Sequence, residues 1–173
     1  MIMNWLRQSK FAAGLLLIIR LYLGWEWITG GWGKLTGPKP FDASGFLTGA
    51  IAKPVAKAGE AIYPTFTAFL QNFALPNVKL FNVLVPWGEF LVGLGLLLGV
   101  LTTAAMFFGL LMNFMFLYAG TVSVNPWMIM IGFIILAAGA NAGKYGVDYF
   151  LLPYLRKLFG RGEYQPETVK TYR

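Results

Sequence analysis

Residues 20–34 read RLYLGWEWITGGWGK, and they place an arginine and a glutamate inside an apolar run long enough to cross a bilayer. At about 100° per residue on a helix, two cations, an indole and two glycines fall within roughly 40° of one line. The members of this stripe are Arg20, Gly24, Trp27, Gly31 and Lys34. Glu26 lies about 120° away from the line. Because an intramembrane charge costs about 2.5–3.5 kcal/mol, we expect Arg20 and Glu26 to face the protein interior, to be paired, or both.

The composition predicts an integral membrane protein. Of the 173 residues, 57% are hydrophobic and only 12% are charged, whereas a soluble domain carries about 25% charged residues. The chain has no cysteine and no histidine, so it lacks the usual ligands of haem, zinc and iron–sulfur clusters. We therefore expect no haem, no metal and no iron–sulfur cluster, and any redox chemistry would need a quinone, another organic cofactor or a partner protein. The net charge of +7 is spread along the chain, which favours topology signals over nucleic-acid binding.

The hydropathy pattern predicts an all-α, single-domain membrane protein, a four-helix transmembrane bundle. Spans are expected at about residues 11–33, 83–102, 103–122 and 126–143. The second and third spans follow each other almost without interruption, so we expect them to be antiparallel neighbours. Residues 35–82 break the pattern with a Gly- and Pro-rich turn and a series of short amphipathic helices rich in aromatic residues, so we expect an external lid on one face of the bundle. Residues 149–173 are predicted to form an amphipathic, basic cytoplasmic tail.

Lysines and arginines outside the spans predict the orientation. Eight of them flank the two ends of the chain and five lie in or beside residues 35–82, which favours a multi-pass protein of the plasma membrane with both termini in the cytoplasm.

The rise of about 1.5 Å per residue then predicts one internal cluster. Arg20 and Asn113 fall near mid-membrane, Glu26 and Glu89 fall in the outer half, and Lys34 falls at the outer boundary. We expect Arg20 to pair with Glu26 or Glu89. Residues 141–148 are expected at the inner end, too far away to join the cluster.

Three motifs, in this order, resemble signatures of the DoxX family over nearly the whole chain. They are Arg20-x3-Gly24-x6-Gly31-x2-Lys34, Glu89-x3-Gly93-x5-Gly99 and Gly143-Lys144-Tyr145-Gly146-Val147-Asp148. The resemblance implies a four-helix membrane bundle with a redox association, because some members, such as the DoxD subunit, belong to thiosulfate:quinone oxidoreductases and others are membrane partners of oxidoreductases. The long segment 35–82 resembles the DoxD-like arrangement.

Three hypotheses of function remain. The first is a quinone-linked membrane oxidoreductase or its membrane subunit, acting on a small sulfur oxyanion such as thiosulfate. In it, Glu26 and Glu89 are the candidate catalytic proton carriers, and the candidate ligand-binding residues are Arg20, Trp27, Lys34 and Asn113. The second is a small solute or anion transporter that uses the same pocket, and the third is a membrane scaffold for a partner oxidoreductase. A quinone is the candidate cofactor, and the candidate partners are the lipid bilayer, an oxidoreductase subunit and a second copy of the chain.

Each of these residues also has a purely structural interpretation. A paired Arg20 could clamp two helices together, Lys34 could reach the headgroups, and Trp27 could pack in the core. Asn113 is expected to donate an interhelical hydrogen bond, and Asp148 with Lys144 to cap the fourth helix.

Overall fold

The computed structural model describes residues 1–159, which fold mainly as helices. The helices are α1 (Ile2–Gln8), α2 (Lys10–Thr36), α3 (Ser44–Ala52), α4 (Pro64–Phe69), α5 (Val78–Leu98), α6 (Thr102–Tyr118), α7 (Asn125–Ala138) and α8 (Asp148–Leu158). A π-helical turn, Leu70–Ala74, extends α4, and a 3-10 turn, Gly139–Gly143, extends α7. Two short antiparallel strands, β1 (Ala56–Lys57) and β2 (Glu60–Ala61), form a hairpin after α3.

Three of these helices are long and apolar enough to cross a membrane. They are α2, α5, and α7 with its 3-10 extension, whereas α6 is apolar but only 17 residues long. The helical membrane class is therefore confirmed. The second predicted span begins earlier than expected, at Val78 instead of near residue 83. Its first turn carries Lys79 and Asn82, and these polar residues hid the start of the helix from the hydropathy pattern.

Helices α2 and α5 pack in an antiparallel pair whose backbones touch. A Cβ added to Gly24 would lie 2.8 Å from the Leu97 side chain, and one added to Gly31 would lie 2.8 Å from the Pro86 carbonyl oxygen. Glycines with nothing beyond the Cα atom allow this approach. The predicted stripe on α2 is confirmed as a buried face at Arg20, Gly24, Trp27 and Gly31.

The other helices of the bundle follow in antiparallel order. Gly88 of α5 faces Met112, and Gly95 faces Ala105, so α6 runs back along α5 as the tight connection predicts. On α7, Gly132 packs against Met106 of α6. The bundle core between these helices contains Leu16, Leu23, Leu96, Met106 and Ile135, each no more than 1% exposed.

The two ends of the bundle differ in their connections. At one end, which we call the Arg20 end, the Asn141 amide donates hydrogen bonds to the Leu6 and Ser9 carbonyl oxygens at 2.8 and 3.0 Å. The α5–α6 turn and the start of α8 also lie there, since the Asp148 N–H donates to the Gly99 carbonyl oxygen at 2.7 Å. The opposite end, which we call the Lys34 end, carries residues 37–77 between α2 and α5.

Residues 37–77 form a folded layer with its own apolar core. Its buried members are Ala43, Leu47, Ala50, Leu70 and Ala74. The layer packs on the bundle where the Tyr63 ring lies 4.6 Å from the Tyr118 ring of α6, centroid to centroid. The segment thus contacts α6, while its role as a lid and its side of the membrane stay predictions. In the predicted tail, the structure describes α8, and residues 160–173 lie outside the described part of the chain.

Candidate ligand-binding site

A buried ion pair joins α2 and α5 at the Lys34 end. The Lys34 ammonium lies 2.5 Å from Oε2 of Glu89 and also donates to the Gly30 carbonyl oxygen at 3.4 Å. The Glu89 side chain is 6% exposed, whereas the Lys34 side chain is 32% exposed. The lysine therefore stands between the buried carboxylate and the surface.

The exposed side of Lys34 faces a shallow pocket. The pocket has a volume of about 390 Å³ and is lined by Lys34, Leu35, Pro40, Phe41, Lys79, Asn82 and Pro86. The Lys34 ammonium lies 5.9 Å from the centre of the Phe41 ring, within the range of a cation–π contact. Two ammonium groups, an amide and an aromatic ring thus surround a space that suits an anionic or carbonyl-bearing ligand.

Hydrogen bonds fix the rim of the pocket. The Ala43 N–H donates to Asn82 Oδ1 at 2.7 Å, and the Asn82 amide donates to Asp42 at 3.3 Å. The Asp42 carboxylate also accepts from the Ser44 hydroxyl at 2.7 Å and from the Ser44 N–H at 3.0 Å. These hydrogen bonds, led by the Ser44 hydroxyl, hold the pKa of Asp42 below its usual value. Asn82 of α5 therefore both lines the pocket and anchors residues 42–43 of the layer to α5.

The predicted pairing of Arg20 with Glu26 or Glu89 is wrong. Arg20 is 1% exposed and donates to the carbonyl oxygens of Ala142 at 3.3 Å and Tyr145 at 2.9 Å. The Glu89 carboxylate lies beside Gly30, since a Cβ on Gly30 would be 3.4 Å from it. Arg20 lies about 15 Å from Gly30 along α2, so Glu89 is out of its reach. Arg20 therefore belongs to the Arg20 end.

Residues 139–147 fold inward and reach Arg20, against the expectation that they lie too far away. The Arg20 guanidinium occupies the space beside Gly99 and Gly146, where a Cβ on Gly146 would lie 2.7 Å from its nitrogen. Gly99 has φ of +67°, which favours glycine. The arginine, both glycines and the neighbouring carbonyl groups thus form one structural joint.

The predicted role of Asp148 with Lys144 as a cap of the fourth helix is also wrong. The Asp148 carboxylate accepts hydrogen bonds from the Leu101 and Thr102 N–H groups at 2.7 and 2.8 Å. Asp148 therefore caps the start of α6. The cap joins α8 to the α5–α6 turn. Sequence distance concealed this contact, because residues 101 and 148 are close only after α7 has returned to the Arg20 end.

The remaining candidates lie away from the pocket. Asn113 is fully buried, and neither of its side-chain polar atoms has a hydrogen-bond partner among residues 1–159, so the expected interhelical hydrogen bond is absent from this part of the chain. Trp27 is 4% exposed, and its indole N–H faces Gly109 on α6 with no acceptor in the described part of the chain. Glu26 is half-buried, and among residues 1–159 the single ion pair is that of Lys34 and Glu89. Of the six candidate residues, the structure brings only Lys34 and Glu89 together beside the pocket.

Of the seven residues that line the pocket, only Lys34 was among the sequence-based candidates, and three of the others can contact a polar or aromatic ligand. Phe41, Lys79 and Asn82 come from the segment that had been interpreted as a lid and from the undetected first turns of α5. A signal was present in the sequence, since Lys79 and Asn82 are three residues apart and share one helix face with Pro86. Detecting it required knowing that the helix starts at Val78.

Comparison with known proteins identifies the family. The model of the DoxX family matches residues 15–123, well over half of the chain. The match includes Arg20, Lys34 and Glu89 and ends before the 143–148 motif. No curated protein and no solved structure matches the chain. The sequence match and the helical membrane architecture agree with the motif resemblance, and the chain belongs to the DoxX family.

Proposed function

We propose that this protein is the membrane subunit of a quinone-linked oxidoreductase and that its pocket at the Lys34 end binds the quinone head group. A small sulfur oxyanion such as thiosulfate is the second ligand with matching chemistry. The observation that carries the proposal is the ion pair beneath the pocket, in which a partly exposed ammonium contacts a carboxylate that is 6% exposed.

Lys34 is suited to bind either ligand. Its ammonium has three donors, of which the Glu89 carboxylate and the Gly30 carbonyl oxygen accept two. The third can donate to a quinone carbonyl or to an anion oxygen in the pocket. Lys79 adds a second positive charge, and Phe41 adds an aromatic wall. The wall favours a flat ring, and the second charge favours an anion.

The same pair is suited to move a proton. Reduction of a quinone to its quinol takes up two electrons and two protons. Lys34 can donate a proton to a quinone oxygen and regain one from water at its exposed side, while the hydrogen-bonded Glu89 carboxylate favours the charged ammonium. The electrons come from a partner subunit or from the sulfur anion.

The chain path supports four crossings with both termini on one side. Helix α6 begins at the Arg20 end, and α7 must begin at the Lys34 end in order to return, so α6 has to cover the same distance as its neighbours. Its 17 residues give about 25 Å, near the lower limit for a spanning helix. The positive-inside rule then favours the Lys34 end outside and α1 and α8 in the cytoplasm.

Ligand-induced stabilisation tests the proposal. Purified protein in detergent is heated with a ubiquinone analogue, a menaquinone analogue, thiosulfate or sulfite, because a ligand that binds the folded state raises the melting temperature. The test variant carries Lys34→Met and Glu89→Leu together, and the control is Lys39→Met, which removes an exposed lysine outside the pocket.

A shift with a quinone analogue that disappears in the double variant and persists in the control supports the proposal. A shift only with sulfur oxyanions assigns the pocket to the anion. If no compound shifts the melting temperature at saturating concentration, the redox proposal gives way to a transporter or a scaffold.

A further inference from the structure

The segment from Pro64 to Ala74 presents an aromatic surface away from the protein. Phe69 is 40% exposed and Phe73 is 47% exposed, and their rings stack with centroids 5.4 Å apart. The opposite edge of the same helix is buried at Leu70 and Ala74 against α3. The Phe69 and Phe73 rings also lie 6.4 and 6.3 Å from the Phe81 ring of α5, centroid to centroid. The segment thus uses one face for protein packing against α3, and its aromatic face is only partly covered by α5.

This aromatic face continues onto the bundle. Phe69 contacts Phe66, and Phe66 contacts Tyr118 at 5.5 Å between centroids. From Tyr118 the series passes to Phe114 at 6.2 Å and then to Phe133 at 6.3 Å. Phe133 is 48% exposed on α7, one of the candidate membrane spans. The aromatic face of the segment is therefore continuous with the surface that the spanning helices present to lipid.

Charge and backbone pairing fit the same environment. Residues 64–78 read PTFTAFLQNFALPNV and contain no charged residue. The helical conformation pairs the backbone groups internally, as the hydrocarbon region requires, and the Leu75 N–H donates to the Leu70 carbonyl oxygen at 2.9 Å. The charged residues of the layer lie elsewhere, at Lys39 and Asp42 before α3 and at Lys53, Lys57 and Glu60 in or beside the β1–β2 hairpin.

We propose that residues 64–74 are a membrane-inserted segment whose Phe66–Phe69–Phe73 face contacts phospholipid acyl chains in the leaflet at the Lys34 end. Helical geometry places Gln71 and Asn72 on the remaining face, toward the headgroups and water. Removing these rings from water is favourable by about 25 cal/mol per Å² of apolar surface, and helices that lie in the membrane interface carry Trp, Phe and Leu on their apolar face. The hairpin projects into water.

Lipid contact of this segment does not depend on the proposed function, but it affects which of the two candidate ligands is favoured. Phe41 of the pocket packs in the same apolar cluster as Phe66. The pocket wall and the proposed lipid-facing segment therefore share one apolar cluster. If the proposed function holds, this placement favours a lipid-soluble quinone over a water-soluble oxyanion.

Site-directed spin labelling tests the insertion, because the chain has no native cysteine. Single cysteines replace Phe69 or Phe73, with Phe133→Cys as the lipid-facing reference and Ala58→Cys as the aqueous reference. Each labelled protein is placed in phospholipid nanodiscs, and its collision rates with oxygen, which partitions into hydrocarbon, and with a water-soluble nickel chelate are compared.

We expect the oxygen-to-nickel ratio at positions 69 and 73 to be several-fold higher than at 58 and close to that at 133. A ratio at both positions equal to that at 58 would overturn the proposal. Two labelled positions keep the test decisive if one variant fails to fold. Since no ligand is used, the outcome is independent of whether the pocket binds a quinone.

Discussion

Removing Lys34 should destabilise the protein more than removing Glu89, although both changes break the same ion pair. In Lys34→Met, the Glu89 carboxylate stays in place with a side chain that is 6% exposed and loses its counter-ion. Breaking a buried pair in this way costs about 3–5 kcal/mol. In Glu89→Leu, the remaining ammonium is on a side chain that is 32% exposed, so it can turn to water, and the loss is about 1 kcal/mol or less.

The double variant Lys34→Met/Glu89→Leu should recover most of the stability, because it leaves no buried charge without a partner. At about 2–4 °C per kcal/mol for a chain of this size, the melting temperature should fall by about 6–20 °C in Lys34→Met. The assay is thermal unfolding in one detergent at a fixed heating rate, since membrane proteins often unfold irreversibly. Lys39→Met serves as the control for loss of one surface charge.

Equal losses in the two single variants would refute the reasoning about burial. A double variant less stable than both single variants would refute the ion pair as the source of the effect.

Three further predictions concern packing, the Arg20 joint and acid. Gly31→Ala should lower the free energy of unfolding by about 1–3 kcal/mol, because α5 occupies the place of the new methyl group. Gly33→Ala should be neutral or slightly stabilising, because no atom lies within 4 Å of its new methyl group. Thermal unfolding of the two variants checks this difference. Arg20→Leu should lower the melting temperature, because it leaves buried carbonyl groups unpaired. A ligand bound at the Lys34 end should still raise the melting temperature of this variant, and loss of the ligand-induced rise would contradict the separation of the two sites. Hydrogen bonding lowers the pKa of Asp42, so its carboxylate stabilises the fold above the unfolded pKa of about 3.9, and this contribution is lost as pH falls through the lower folded pKa. Asp42→Asn should therefore be less stable than wild type at neutral pH and equally stable in strong acid. Unfolding curves across this pH range check the prediction.

Local patterns were sufficient to predict the long apolar helices, except for the start of α5, and the buried stripe on α2. The period of the apolar residues and the glycines at positions 24 and 31 indicated which face of α2 is buried, because both features act within a few turns of one helix. The same reasoning correctly predicted that α5 and α6 are antiparallel, since a short connection allows no other arrangement.

Partner assignment required the three-dimensional register. Depth along each helix suggested that Arg20 would meet Glu89, but the α2–α5 register brings Glu89 to Gly30 and Lys34 instead. The inward fold of residues 139–147 supplied Arg20 with carbonyl acceptors that no hydropathy pattern reveals. An arginine in an apolar span can be satisfied by backbone oxygen atoms, so its presence did not identify an acidic partner.

Extraction of the purified protein tests the central claim most directly. Protein prepared in mild detergent is extracted with organic solvent, and quinone is measured by absorbance and mass spectrometry. The proposal predicts quinone in the extract of the wild type and of Lys39→Met, and its loss from the folded Lys34→Met/Glu89→Leu variant. Absence of quinone from the wild type, or an equal amount in the double variant, would contradict a quinone site at Lys34.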